Sequence, residues 1–155
     1  MDFVLRPARS GDGASLFEVT RQSVMGLARG YYTQEQIDKW MAARDAAYYE
    51  KLITKGAVTV AERDGGVVGF VDAVQGEVTR LFIRPDAAGQ GLGSALLEKG
   101  LIVARQGHAG PIKVEATINA ERFYERHGFQ ALRRGYFSHG VGGPPIEIVH
   151  MELPH

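Results

Sequence analysis

Val78-Thr79-Arg80-Leu81-Phe82-Ile83-Arg84-Pro85-Asp86-Ala87-Ala88-Gly89-Gln90-Gly91-Leu92-Gly93-Ser94-Ala95-Leu96-Leu97 changes character twice within a short span. Val78 to Arg84 reads as a strand, and Pro85 closes it. Glycines then stand at 89, 91 and 93, and a helix runs from about Gly91 to Gln106 with Leu92, Ala95, Leu96 and Val103 on one face. Glycine lets a backbone approach a ligand closely and adopt conformations that other residues avoid. A helix N-terminus adds unpaired N–H groups and a partial positive charge, so strand, glycine turn and helix together form a candidate pyrophosphate site. The glycines alone fit a tight strand-to-helix turn equally well. No Gly-Lys-Ser/Thr follows, which excludes a Walker loop, and the 89-91-93 spacing does not match a dinucleotide fingerprint.

The pattern extends outward on both sides. Upstream, Val4 and Arg6 lie in a short opening strand that ends at Pro7, and Ser10 and Asp12 are candidate helix N-caps. Leu16, Thr20, Val24 and Leu27 recur at helical spacing, and Gly30 ends that helix. Thr33-Gln34-Glu35-Gln36 reads as a capping box for a second helix that carries Ile37, Trp40 and Met41 on one face. A short helix around Asp45 to Thr54 fits the spacing that follows. Ala57 to Glu62 and Val67 to Val74 alternate as strands around an Asp64-Gly65-Gly66 turn. Downstream, Ile112 to Ala116 is a strand, Asn119 to His127 a short helix capped by Gly128, and Phe129 to Ser138 and Ile146 to Leu153 are final strands. No linker or repeat interrupts the chain, so residues 1–155 read as one α/β domain.

Composition narrows the functional class. The 155 residues are 45% hydrophobic and 23% charged, ordinary values for a globular domain. Eighteen basic side chains balance eighteen acidic ones, which argues against nucleic acid as the main partner. The absence of cysteine excludes disulfides, thiolate metal sites and cysteine nucleophiles. The N-terminal Met1-Asp2-Phe3-Val4-Leu5-Arg6-Pro7 lacks the apolar run of a signal peptide, and no apolar stretch is long enough to span a membrane. A cytoplasmic location with no membrane partner is therefore expected. His108, His127, His150 and His155 show no metal spacing, and no metal is expected.

A second motif, Thr117-Ile118-Asn119-Ala120-Glu121-Arg122-Phe123-Tyr124-Glu125-Arg126-His127-Gly128-Phe129, puts Ala120, Phe123 and Tyr124 on roughly one helical face. By spacing alone, Tyr124 also fits a core position with its hydroxyl toward solvent. The two segments together resemble the GNAT superfamily of N-acetyltransferases. Strand, proline, Gly-x-Gly-x-Gly, helix, strand, then Ala-x-x-Phe-Tyr-x-x-x-Gly-Phe follow its acetyl-CoA core in order and spacing over about residues 57 to 138. Ala88 stands where the family prefers Gln or Arg, and Thr117 where many members carry Asn.

The resemblance implies a mixed, mostly antiparallel sheet of about seven strands flanked by helices and splayed between the fourth and fifth. It implies acetyl-CoA as acyl donor, held at Leu81, Phe82, Ile83, Gly89, Gln90, Gly91, Gly93, Ser94, Asn119 and Tyr124. The reaction implied is direct attack of a primary amine through a tetrahedral intermediate, with a backbone N–H near Phe82 or Ile83 holding the oxyanion. Tyr124 aligns with the general acid that protonates the leaving thiolate. Amines must lose a proton to attack, and Glu77 lies at the offset where histone-type members carry a glutamate base. A solvated glutamate at a strand start fits Glu77 as well.

Tyr31, Tyr32, Trp40, Tyr48 and Tyr49 crowd the region that covers the acceptor cleft in that family. Tyr31, Tyr32, Trp40 and His139 are the candidates to line it, with cation–π contact as the means of holding an amine. Trp40 with Ile37 and Met41 also reads as plain core. The expected partner is a small-molecule or peptide amine. Relatives commonly dimerise, which leaves a homodimer open. The competing readings are a non-catalytic acyl-CoA-binding module and an unrelated nucleotide-binding protein using the glycine turn.

Overall fold

A computed structural model describes residues 3–138 and 145–154. His139, expected on the acceptor side, lies outside the described residues. The elements follow in the order β1 (Val4–Pro7), α1 (Gly13–Leu27), α2 (Gln34–Ala42), α3 (Ala46–Thr54), β2 (Val58–Arg63), β3 (Gly66–Val74) and β4 (Glu77–Ile83). Then come α4 (Leu92–Arg105), β5 (Ile112–Thr117), α5 (Glu121–Arg126), β6 (Gln130–Tyr136) and β7 (Glu147–Leu153). Local chemistry sets most boundaries. Thr33 accepts from the Gln36 amide at 3.1 Å while the Gln36 side chain accepts from the Thr33 amide at 2.8 Å, closing the capping box of α2. Asp45 caps α3 by accepting from the Tyr48 amide at 2.9 Å. Asp64 and Gly65, both at positive φ, make the tight turn between β2 and β3.

Among the described residues the strands form one seven-stranded sheet in the order β1-β2-β3-β4-β5-β7-β6. All neighbours run antiparallel except β4 and β5, which are parallel. Successive residues of a strand face opposite sides. Phe70 therefore packs with Leu16, Val19, Tyr49 and Leu52 of α1 and α3, while Val71 packs with Leu96 and Leu97 of α4 on the other side. The α4 backbone comes close to the sheet at Gly100, where an added Cβ would sit 2.8 Å from Val71. A third cluster joins Val24, Ala28, Tyr32, Ile37 and Trp40 to Ile146, just before the last strand, and Ile148 within it.

Asp12 behaves differently from the helix-capping role its position suggested. Its side chain makes no cap bond to α1. It instead accepts from Arg6 Nη1 at 2.9 Å and Nη2 at 3.2 Å, while Arg6 Nε donates to Glu62 at 3.0 Å. One guanidinium thus ties β1, the start of α1 and β2 together. The Arg6 hydrogen bonds hold the Asp12 carboxyl below its ordinary value. The short helix expected over 119–127 is split: a 3₁₀ turn at Ile118–Ala120 precedes α5.

Candidate active site

Parallel strands β4 and β5 pair at two positions only, Glu77 with Lys113 and Val78 with Val114. Beyond Val78 the strands run on without a ladder, β4 to Ile83 and β5 to Thr117. The sheet is therefore parted at its centre, and the β4 edge from Thr79 onward has main-chain groups not used by β5.

On one side of the parting lies a cavity of about 490 Å³. Leu81, Phe82 and Ile83 form one wall, and Gly89, Gly91, Gly93 and Ser94 form its mouth. Gly89 and Gly91 have φ of +77° and +81°, and a Cβ at either would meet nothing within 4 Å. Glycine is required there by backbone conformation, not by crowding. Gly93 is the reverse case: an added Cβ would meet Phe123 at 3.0 Å and Ile83 at 3.2 Å. The first main-chain bond of α4 runs from the Ala95 amide to the Gly91 carbonyl, and no side chain caps the helix. The amides of Leu92, Gly93 and Ser94 therefore have no acceptor within the helix. Asn119 lines the same cavity, and its Oδ1 is buried without a hydrogen-bond partner. Such an orphaned acceptor is costly unless a ligand donor reaches it. Open glycine mouth, free amides and orphaned amide oxygen together fit an extended, phosphate-bearing ligand such as coenzyme A.

A smaller cavity of about 30 Å³ adjoins the large one in the gap between β4 and β5. Trp40, Leu81, Phe82, Thr117 and Ala120 border both cavities, so the two meet across the parted strands. Tyr124 lines the smaller one and is 4% exposed. Burial pushes its phenol well above the ordinary value, so it remains a proton donor. Glu115 also lines this smaller cavity, with its carboxylate accepting from the Ser138 amide at 2.8 Å and the Ser138 hydroxyl at 2.6 Å.

The structure brings together Leu81, Phe82, Ile83, Gly89, Gly91, Gly93, Ser94, Asn119, Trp40 and Tyr31 around the large cavity. Three sequence candidates stand apart. Gln90 turns its side chain away, accepting from Arg63 at 2.9 Å. Glu77 sits at the paired foot of β4 and lines neither cavity. Tyr32 is 7% exposed and lines neither, its hydroxyl donating to the Glu147 carbonyl at 2.6 Å and accepting from the Ile118 amide at 3.0 Å. Residues the sequence did not mark also reach the site. Val24 and Ala28 wall the large cavity from α1, at the i, i+4 spacing that marks one helical face. His127 borders it beside the glycine mouth. A carbonyl only accepts, so His127 Nδ1 donates to Phe123 O at 2.9 Å, and Nε2 is hydrogen-bonded to the Ser94 hydroxyl at 2.8 Å.

Comparison with known proteins agrees with this geometry. The acetyltransferase (GNAT) domain family matches residues 28–153. The uncharacterized N-acetyltransferase YafP of Escherichia coli is 32% identical over 130 residues, covering 84% of this chain and 83% of its own. A GCN5-related N-acetyltransferase structure from Rhodopseudomonas palustris superposes with a TM-score of 0.88 at 25% identity, covering 100% of this chain and 97% of that one. The PaiA N-acetyltransferase of Thermoplasma acidophilum, solved with coenzyme A, superposes at a TM-score of 0.80 and 19% identity over 100% of both chains. With the parted β4 and β5, the uncapped glycine mouth and these relatives in agreement, the chain belongs to the GNAT family of acetyltransferases and is an acyltransferase enzyme.

Proposed function

We propose that the protein transfers the acetyl group of acetyl-CoA to a primary amine. The observation that carries this reading is the parting of β4 from β5, with an uncapped helix mouth and buried Tyr124 both beside the gap. Acetyl-CoA supplies the acetyl group as an activated thioester. The amides of Leu92, Gly93 and Ser94 hold the diphosphate, assisted by Ser94 and His127 at the rim. Asn119 Oδ1 accepts from the pantetheine arm, which removes its orphaned state. Main-chain N–H groups near Phe82 and Ile83 stabilise negative charge on the acyl oxygen. Tyr124, kept protonated by burial, donates to the leaving sulfur. Trp40 and Tyr31 wall the acceptor, and Tyr32 holds that wall in place.

The base is assigned to the acceptor side. Glu115 lines the smaller cavity with Tyr124, and each of its oxygens keeps a lone pair beyond the Ser138 bond. Glu115→Gln is expected to lower kcat about 10²-fold or more, with Glu77→Gln much milder; equal losses in the two variants would reverse the assignment. The activity itself is tested by calorimetric titration with acetyl-CoA and by thiol release with a panel of amines. Saturable binding and amine-dependent thiol release are expected, and absence of heat and saturation would end the reading.

A further inference from the structure

The wall behind the smaller cavity holds more buried positive than negative charge. Arg80 lines that cavity with a side chain 10% exposed. Its Nη1 donates to Asp72 at 3.0 Å and its Nη2 to the Tyr48 hydroxyl at 2.8 Å. Arg44, at the end of α2, is 7% exposed and donates to the Trp40 carbonyl. Its guanidinium carbon lies 6.0 Å from the centre of the Trp40 ring and 5.4 Å from that of Tyr48. The Arg80 guanidinium carbon lies 5.7 Å from that same Tyr48 ring. Two guanidiniums thus share one tyrosine, and of the two Arg80 alone is bonded to Asp72. Among the described residues no carboxylate oxygen comes within 4.0 Å of Arg44.

A cation taken out of water without an anion is costly, and such a site is commonly completed by a ligand. Asn119 Oδ1 is the one fully buried polar side-chain atom left without a partner among the described residues, so the spare nitrogens of Arg44 and Arg80 are not sealed in. The smaller cavity has room for one or two water-sized groups, which is the size of a carboxylate. Glu115 and Tyr124 on the same cavity offer a negative charge and a proton donor, complementing an amine.

We propose that the amine acceptor carries a carboxylate, received at Arg80, with its amine turned toward Glu115 and Tyr124. The acceptor class is therefore a free amino acid or an amine bearing an acidic group, not a polyamine. Arg44 is a positioning residue: one ring behind the cavity, it supplies the uncompensated charge and braces Trp40 and Tyr48. This proposal rests on the acetyl-transfer reading.

The test measures CoA thiol release with free α-amino acids, their carboxamides and spermidine, reading KM separately from kcat. The acids are expected to show KM about tenfold or more below the matching amides. Arg44→Gln should raise KM for the acids about tenfold more than it raises KM for the matching amides, and Arg44→Lys should restore most of that difference. Amides or spermidine used as well as acids, or an acid preference that survives Arg44→Gln, would overturn the proposal. So would release with none of these acceptors from a protein that binds acetyl-CoA calorimetrically. Absence of acetyl-CoA binding is a separate result and removes the underlying reading first.

Discussion

Asn119 and Tyr124 show at the scale of one side chain how a site keeps groups ready for a ligand. The Asn119 amide oxygen is buried and unpaired, a state that costs about 1–3 kcal/mol. Asn119→Ala is therefore expected to leave the free protein as stable as before or about 1 kcal/mol more stable, while raising KM for acetyl-CoA about three- to tenfold. Thermal melting and steady-state kinetics together check both signs; a destabilised variant with unchanged KM would contradict the role. Tyr124 carries the complementary prediction. Burial favours its neutral form, so its proton is retained through the ordinary tyrosine pKa near 10. Tyr124→Phe should slow turnover by roughly 10²–10⁴-fold. The wild-type rate should show no loss assignable to tyrosine ionisation up to about pH 10. A kcat–pH profile of both proteins tests this, and unchanged turnover in the phenylalanine variant would remove the acid role.

The glycine turn and α4 act as one element, and its three glycines are not equivalent. Gly91 is the N-cap of α4 at φ +81°, in open space. Alanine there adds no clash but forces a left-handed non-glycine residue, at about 1–2 kcal/mol. Because that strain is relieved by shifting the amides that follow, Gly91→Ala should weaken acetyl-CoA binding as well as lower stability. Gly93→Ala instead pushes on Phe123 and Ile83, so its effect depends on whether those side chains give way. Denaturant melts with and without acetyl-CoA separate the two, since Gly91→Ala should reduce the ligand-induced shift more. Elements of this kind were legible in the sequence because their signals are local: a proline after a strand, alternating glycines, a capping box at Thr33. The parted sheet was legible only through resemblance, since nothing in β4 or β5 alone states that their ladder stops at Val78. Glu77 and Glu115 show the limit most clearly. Both are strand glutamates, and only the tertiary path of β5 puts Glu115, not Glu77, on the cavity. Arg44 and the α1 wall escaped for the same reason, and His127, although inside the second motif, carries no local sign that it meets Ser94.

At the scale of the molecule, a sheet opened at its middle needs something other than its own ladder to hold the halves in register. The β1-β2-β3-β4 half and the β5-β7-β6 half share only two paired positions. Tyr32 ties the helical layer to the β5-β7-β6 half, and Trp40, which it packs against, meets Phe82 of β4 at 6.4 Å. It stacks edge-on against Trp40 at 5.9 Å, and its hydroxyl bonds the Glu147 carbonyl at the start of β7 and the Ile118 amide after β5. Tyr32→Phe removes both bonds and leaves two backbone groups without that partner, at a cost of about 1–3 kcal/mol. Because Ile118 precedes Asn119, the loss should also loosen the cavity floor and raise KM for acetyl-CoA. The pH dependence carries a sign. Burial raises the folded Tyr32 pKa above its unfolded value of 10.0. Its contribution is therefore fully present below pH 10 and is lost as pH rises through the folded value. Urea midpoints measured upward from neutral pH should fall in the wild type and fall less steeply in Tyr32→Phe. Parallel alkaline limbs in the two proteins, with unchanged stability at neutral pH, would show that the halves are held in register by packing alone.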